Sequence, residues 1–270
     1  MSIQQLFFSS SAANKIVATG GTVYTNGNYK VHLFSASGTF SISEINDTNA
    51  SLDVLVVAGG YTGIDGGSAE FDFDGRDGGG GGQGSYSRIY SGLAFGTYFN
   101  ATNYAVTIAA SDNFNSQVNN KTASPFIATG GQAIKLSGQG GSGAVYLSDN
   151  STCISAATSG GAGETGYSTT WTGSTINYSS GAGGGGGGAS DGSGCGTPGA
   201  GGAGGTGAGS GGAGGNFFGN GNNATAATAY GSGGGGGGGA GSNNESGDIL
   251  NGGLATSGIS GVVLIRYQYQ

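Results

Sequence analysis

The chain has 270 residues, of which 66 are glycine, roughly a quarter where about 7% is usual. Charged residues make up 8%, proline occurs twice, and 7 Lys+Arg against 14 Asp+Glu leave a formal charge of −7. Nucleic-acid binding is excluded for want of Lys and Arg to meet phosphates. A collagen triple helix is excluded by the lack of strict Gly-X-Y and abundant proline, and a helical bundle by glycine's cost of about 1 kcal/mol per helical position.

The chain opens MSIQQLFFSSSAANKIVATGG, where Leu6-Phe7-Phe8 is the one apolar run and no base precedes it. No secretory leader is therefore expected. No stretch approaches the roughly 20 apolar residues of a membrane helix, so no membrane insertion is expected either. Residues 1–58 hold four glycines and carry strand-like runs at Tyr29–Phe34, 39–42 and 52–57. Alternation and β-branched content predict strands there. The first two, separated by Ser35-Ala-Ser-Gly38, predict a hairpin. Further strands are predicted at 104–109, 125–129, 133–136, 144–147 and 261–267.

Residues 151–250 have another character. They contain four large aliphatics (Ile154, Ile176, Ile249, Leu250), no valine and no Lys or Arg. Burying four such side chains at roughly 1.5–3 kcal/mol each cannot offset ordering a hundred residues at about 1–2 kcal/mol each. Such a stretch is either a flexible linker or ordered without an apolar core. The closing run Gly261-Val-Val-Leu-Ile-Arg-Tyr267 favours order, because it reads as a buried strand that must rejoin the N-terminal sheet. Two cysteines, Cys153 and Cys195, make no disulfide framework, and free thiols are expected.

Polyglycine can be ordered by its own backbone. The extended three-residue helix has no internal hydrogen bonds, so each N–H and C=O must find a partner outside it. Without side chains such helices can approach closely and bond laterally, each bond netting about 0.5–1.5 kcal/mol. The runs 78–82, 183–188 and 233–239 are pure glycine and suit interior helices. Ala200-Gly-Gly-Ala203-Gly-Gly-Thr206 and Ser210-Gly-Gly-Ala213-Gly-Gly-Asn216 keep a period of three, which puts every non-glycine on one outer edge. The expected fold is all-β plus polyglycine II. A strand framework (28–58, 104–147, 261–267) supports packed polyglycine II helices (78–84, 181–215, 231–241), with essentially no α-helix.

The ordered series YKVHLFSASGTFSI, LDVLVVAGG, YAVTIAA, ASPFIATGGQA and SGISGVVLIRY resembles the glycine-rich domain of bacteriophage tail fibres and tip adhesins. The resemblance covers roughly residues 28–270, leaving 1–27 as an N-terminal attachment segment. It implies polyglycine II layers with host-contacting loops at the distal end. It also implies a non-enzymatic virion protein with no cofactor. Its partners would be other virion subunits and a bacterial polysaccharide or outer-membrane protein, and it could form a homotrimer. Ile3, Leu6, Phe7 and Phe8 are then candidates for docking onto another subunit, or for a strand of the protein's own sheet. The segment 61–77 departs from the family by being polar and acidic. A structural virion protein without a receptor role and, as a minor alternative, an ice-binding protein stay open.

Three connectors between glycine runs, 164–180, 216–230 and 242–250, supply the candidate receptor-binding residues. These are Tyr167, Trp171, Tyr178, Phe217, Phe218, Asn222, Asn223, Asn243, Asn244 and Glu245. Rigid aromatics beside short hydrogen-bonding groups suit adaptable recognition. The competing reading is that these rings cap the ends of the glycine array. On the recognition reading, Trp171→Ala weakens attachment without lowering thermal stability. Asp72, Asp74 and Asp77 resemble the first half of a calcium loop, but Arg76 and the missing glutamate at its twelfth position break the match, so a solvated acidic loop is expected. Val56–Gly63 mimics a dinucleotide-binding turn but lacks the following helix. His32, the one histidine, sits in a strand pattern, and neither a catalytic triad nor zinc fits it.

Overall fold

The computed structural model describes residues 15–70, 74–112, 116–119, 125–127, 138–142, 144–146, 153–190, 195–242 and 249–270. Among these there is no helix, and the strands are all antiparallel. In chain order they are β1 (Ile16–Thr19), β2 (Thr22–Asn26), β3 (Tyr29–Phe34), β4 (Gly38–Ile45), β5 (Ser51–Val57), β6 (Ala69–Glu70), β7 (Ser87–Ala94) and β8 (Asn103–Thr107). There follow β9 (Gln117–Val118), β10 (Phe126–Ile127), β11 (Val145–Tyr146), β12 (Cys153–Ser155), β13 (Tyr167–Thr169), β14 (Ile176–Tyr178), β15 (Ile249–Leu250) and β16 (Val262–Gln268).

Two five-stranded sheets, ordered β1-β4-β8-β9-β10 and β2-β3-β16-β5-β7, face each other. Between them lies a core containing Phe40, Ile42 and Tyr104 from the first sheet and Phe34, Val54, Val56, Val263 and Ile265 from the second. The closing strand β16 does rejoin the N-terminal region, inserted between β3 and β5. The hairpin expected from 29–34 and 39–42 does not form, because β3 and β4 lie in different sheets. The short link turns the chain from one sheet to the other, so Phe34 and Phe40 both reach the core between them. Strands β1 and β2 place residues 16–26 in these sheets. The predicted strand at 133–136 lies outside the described residues, as do Ile3, Leu6, Phe7 and Phe8.

His32 is fully buried inside the sandwich. Its Nδ1–H donates to the Gly20 carbonyl at 2.7 Å, so Nε2 accepts from the Tyr267 hydroxyl at 3.1 Å. Burial lowers its pKa from the ordinary imidazole value, against the Gly20 bond, which raises it. It is a satisfied core residue.

The glycine-rich residues form spans that are neither helix nor strand, stacked in three layers. One outer layer holds 138–142 with Ala144, 74–85 and 60–68. The pure glycine run 78–82, expected in the interior, thus lies in an outer layer, because no further span among the described residues covers its far side. The middle layer holds 156–166, 179–190, 231–242 and 251–261, and the other outer layer holds 198–206, 207–216 and 219–228. Their backbone bonds repeat every three residues. Gly79, Gly82 and Ser85 donate to Gly237, Gly234 and Gly231, while Gly63 and Gly66 donate to Thr256 and Gly253.

The middle spans are surrounded on every side. In 179–190, the N–H groups of Gly184, Gly185 and Gly186 donate to Gly161, Gly79 and Gly212 at 2.8–3.0 Å, three different spans. The carbonyls of the same residues accept from Gly202, Gly141 and Gly239, three further spans. Span 231–242 is enclosed likewise. Gly236, Gly237 and Gly238 donate to Gly183, Ile64 and Asn222 and accept from Gly212, Gly79 and Gly253. A Cβ on Gly185 would fall on the Gly237 carbonyl, and one on Gly237 would fall on the Gly253 carbonyl. In the outer layer Ala200, Ala203 and Thr206 are exposed, so the period of three does put its side chains outside.

The expectation of free thiols is overturned: Cys153 and Cys195 are joined as a disulfide, with Cα atoms 5.7 Å apart. Cysteine count alone carried no information on their separation. The bridge ties β12 to the start of span 198–206 across 42 residues of chain.

Gly185→Ala is expected to destabilise the protein by about 3 kcal/mol or more, because the methyl meets backbone that has no rotamer to yield. Gly80→Ala, whose Cβ would only touch Ile64 Cδ1 at 3.8 Å, should change stability by less than about 0.5 kcal/mol. Denaturant midpoints of the two variants decide this, and equal effects would contradict the layered packing.

Candidate functional site

The direction of each span fixes two ends of the array. Near the sandwich, β5 runs through Ala58 into span 60–68, and Gly231 and Gly261 pack against Val57. Buried serines stitch this junction. Ser85 and Ser179 share a hydroxyl contact of 3.1 Å, Ser180 N–H donates to Ser232 Oγ at 3.0 Å, and Ser180 Oγ donates to the Thr206 carbonyl at 2.7 Å. The opposite, distal end carries the β6–β15 and β11–β12 pairs, the disulfide and the turn at 216–219.

The first connector lies at the sandwich end. Hairpin β13–β14 covers the outer face of the second sheet, where Tyr178 packs with Val31, Leu33, Leu55, Val57, Val262 and Leu264. Tyr178 is 2% exposed and its hydroxyl is pushed up to about 12, by burial first and neighbouring Tyr167 second. Tyr167, stacked on Tyr178 at 6.2 Å, and Trp171 border the same cluster. Trp171 also lies over the guanidinium of Arg266 at 4.3 Å, with Tyr29 at 5.0 Å. Arg266 Nη2 in turn donates to Asp53 Oδ2 at 2.6 Å. These rings dock the glycine array onto the sheet, Tyr178 fully and Tyr167 and Trp171 with part of their surface left exposed. The clue was in the sequence: the near-continuous apolar runs of β5 and β16 imply a sheet covered on both faces.

The second connector begins at the distal end and runs back to the sandwich, where Tyr230 pairs with Tyr178. Gly219 N–H donates to Asn216 O at 2.7 Å, closing a turn that holds Phe217 and Phe218 at its tip. Their ring centroids are 3.9 Å apart. Phe218 is 42% exposed and takes a positive φ of 55°, a backbone state that bulky residues rarely adopt without surrounding constraint. Asn222 and Asn223 are exposed on span 219–228. Asn243, Asn244 and Glu245 lie outside the described residues, directly after Ser242, which accepts the Phe218 N–H at 3.2 Å.

Of the segment 61–77, residues 61–68 and 74–77 are built into an outer layer. Gly60, Gly63 and Gly66 face span 231–242, where a Cβ would meet the carbonyls of Ser232, Gly235 and Gly238. This is the same period of three, hidden by the polar residues between. Asp65 caps the Ala255 N–H at 2.7 Å. Asp72 lies outside the described residues, and Asp74 and Asp77 flank the start of span 74–85. Among the described residues no group of three His, Cys, Asp or Glu is placed to hold a metal. After β5 the chain enters a glycine span with no helix, so 56–63 lacks the anion-binding helix terminus of a dinucleotide turn. No described helix is long and apolar enough to cross a membrane.

No family model matches the chain, and no curated protein matches it.

Contrary to the sequence expectation, Trp171→Ala should lower the melting temperature. Loss of a half-buried indole and its contact with Arg266 corresponds to about 2 kcal/mol, below the 3–5 of a fully buried tryptophan. A thermal melt unchanged by the substitution would contradict the docking role.

Proposed function

We propose that the glycine spans are polyglycine II helices and that the protein is a phage virion adhesin, a tail-fibre or tip component that binds the host surface without catalysing a reaction. The support is the three-residue repeat of lateral bonds around 179–190 and 231–242 together with the position of the 216–219 turn. With a rise of about 3.1 Å per residue, spans of this length hold the distal turns roughly 30 Å from the sandwich. A rigid array that ends in short variable turns, opposite the end joined to the sheets, suits recognition at a tip. The strand motifs that resemble phage fibre domains supply the biological context.

On this reading the contact surface is the distal end, with Phe218 exposed and Phe217 half-buried there and 243–245 next in sequence to Ser242. Tyr178 is buried, and Tyr167 and Trp171, half-buried, are engaged with the sheet rather than with the receptor. The N-terminal segment remains the candidate connection to other virion subunits, and the partner at the tip is a bacterial polysaccharide or outer-membrane protein.

Purified protein is expected to compete with phage for adsorption to intact host cells. The double variant Phe217→Ser/Phe218→Ser should compete at least tenfold less well while melting within a few degrees of wild type. Absence of competition by the wild-type protein across hosts whose phage carry it, or equal competition by the variant, would contradict the assignment of the distal turn.

A further inference from the structure

The edge span 251–261 sits at one side of the middle layer, and side chains complete the bonding that a missing neighbour would supply. Asn251 N–H donates to Asn220 Oδ1 at 2.7 Å and Leu254 N–H to Asn223 Oδ1 at 2.8 Å, both from span 219–228. Gly252 N–H donates to Ser68 Oγ at 3.1 Å and Ala255 N–H to Asp65 Oδ1 at 2.7 Å, both from span 60–68. These side chains also line a groove of about 500 Å³, together with Leu254, which is 60% exposed.

The caps orient the groups that face the groove. Because each Asn Oδ1 is held by a backbone N–H, its Nδ2 is fixed as an outward donor. Asp65 keeps Oδ2 as an acceptor, Ser68 has a hydroxyl, and Leu254 offers one apolar patch. Donors and an acceptor of fixed direction beside a small apolar surface match the hydroxyls and C–H face of a sugar. The volume lies within the about 300–1,000 Å³ of ligand clefts. No Lys or Arg lines the groove, and Asp65 with the net charge of −7 opposes anionic ligands. A peptide strand finds no free row of amides on this edge, because the caps occupy them.

We infer that the groove over span 251–261 binds a neutral oligosaccharide through the Asn220 and Asn223 amides, Asp65 and Leu254. This deepens the adhesin reading, on which it rests, by naming the ligand class and a lateral site separate from the distal turn.

The test uses the full chain on an array of immobilised neutral hexose and N-acetylhexosamine oligosaccharides, with sialylated and phosphorylated ones and unstructured peptides alongside. Asn223→Asp is the informative variant: it keeps the Oδ1 cap on Leu254 N–H and replaces the Nδ2 donor with an acceptor. Leu254→Asp keeps the backbone bond and removes the apolar contact. Wild type should bind neutral glycans selectively. Each variant should bind them at least tenfold more weakly while melting within a few degrees of wild type. Absence of neutral-glycan binding, preference for anionic glycans or peptides, or undiminished binding by both variants overturns the inference. Cell adsorption separates the two readings. Normal adsorption by Asn223→Asp rejects the groove as the receptor site and leaves the adhesin reading standing. Selective glycan binding by a wild-type protein that adsorbs to no host does the reverse.

Discussion

The lateral N–H···O=C bond between side-chain-free spans carries the second half of this protein. A fully enclosed residue such as Gly185 uses its one donor toward Gly79 and its carbonyl toward Gly141. Its neighbours on either side serve four other spans, so three residues tie one span to six. Each bond contributes only about 1 kcal/mol net, but leaving a buried donor unpaired costs about 1–3 kcal/mol. The arrangement is therefore cooperative, with each span depending on all its neighbours. It also explains the composition. Aliphatics are scarce because the interior has no room for them, and charge is scarce because a charged side chain could enter only at an edge.

Two devices close such a lattice and stop it from growing. On the outer faces, alanine, serine and threonine stand at every third position and hold off a further span, as with Ala200 and Ala203. At the edges, short polar side chains take the place of the absent neighbour, as Asn220, Asn223, Ser68 and Asp65 do for span 251–261. Side chains with chemistry to offer are thereby confined to faces, edges and turns, and each is held on a rigid frame. The sandwich supplies what the glycine layers lack, an apolar core. Hairpin β13–β14 joins the two regimes by laying Tyr178 and Trp171 on the outer face of the second sheet.

The interior role of 183–188 and 233–239 and the outward phase of Ala200 and Ala203 were legible because they follow from the size of one methyl group. The return of β16 was legible because an uninterrupted apolar run needs a sheet to enter. Other features were hidden for identifiable reasons. Gly60, Gly63 and Gly66 keep the same period, as do Gly160, Gly163 and Gly166, but intervening Tyr61, Asp65 or Glu164 mask it. The β3–β4 link reads locally as a hairpin, and only the joint burial of Phe34 and Phe40 between sheets decides otherwise. Trp171 and Tyr178 have the composition of a recognition loop, and composition does not say which surface they meet. The disulfide depends on a separation in space that sequence spacing does not encode.

Residue-resolved amide hydrogen exchange tests the lateral bonding most directly. If the glycine amides are locked between neighbouring spans, those of 183–188 and 233–239 will exchange as slowly as the amides of β16, and more slowly than the outward-facing amides of Ala200 and Ala203. Exchange of the interior glycines at the rate of an unstructured chain, with β16 still protected, would contradict the account.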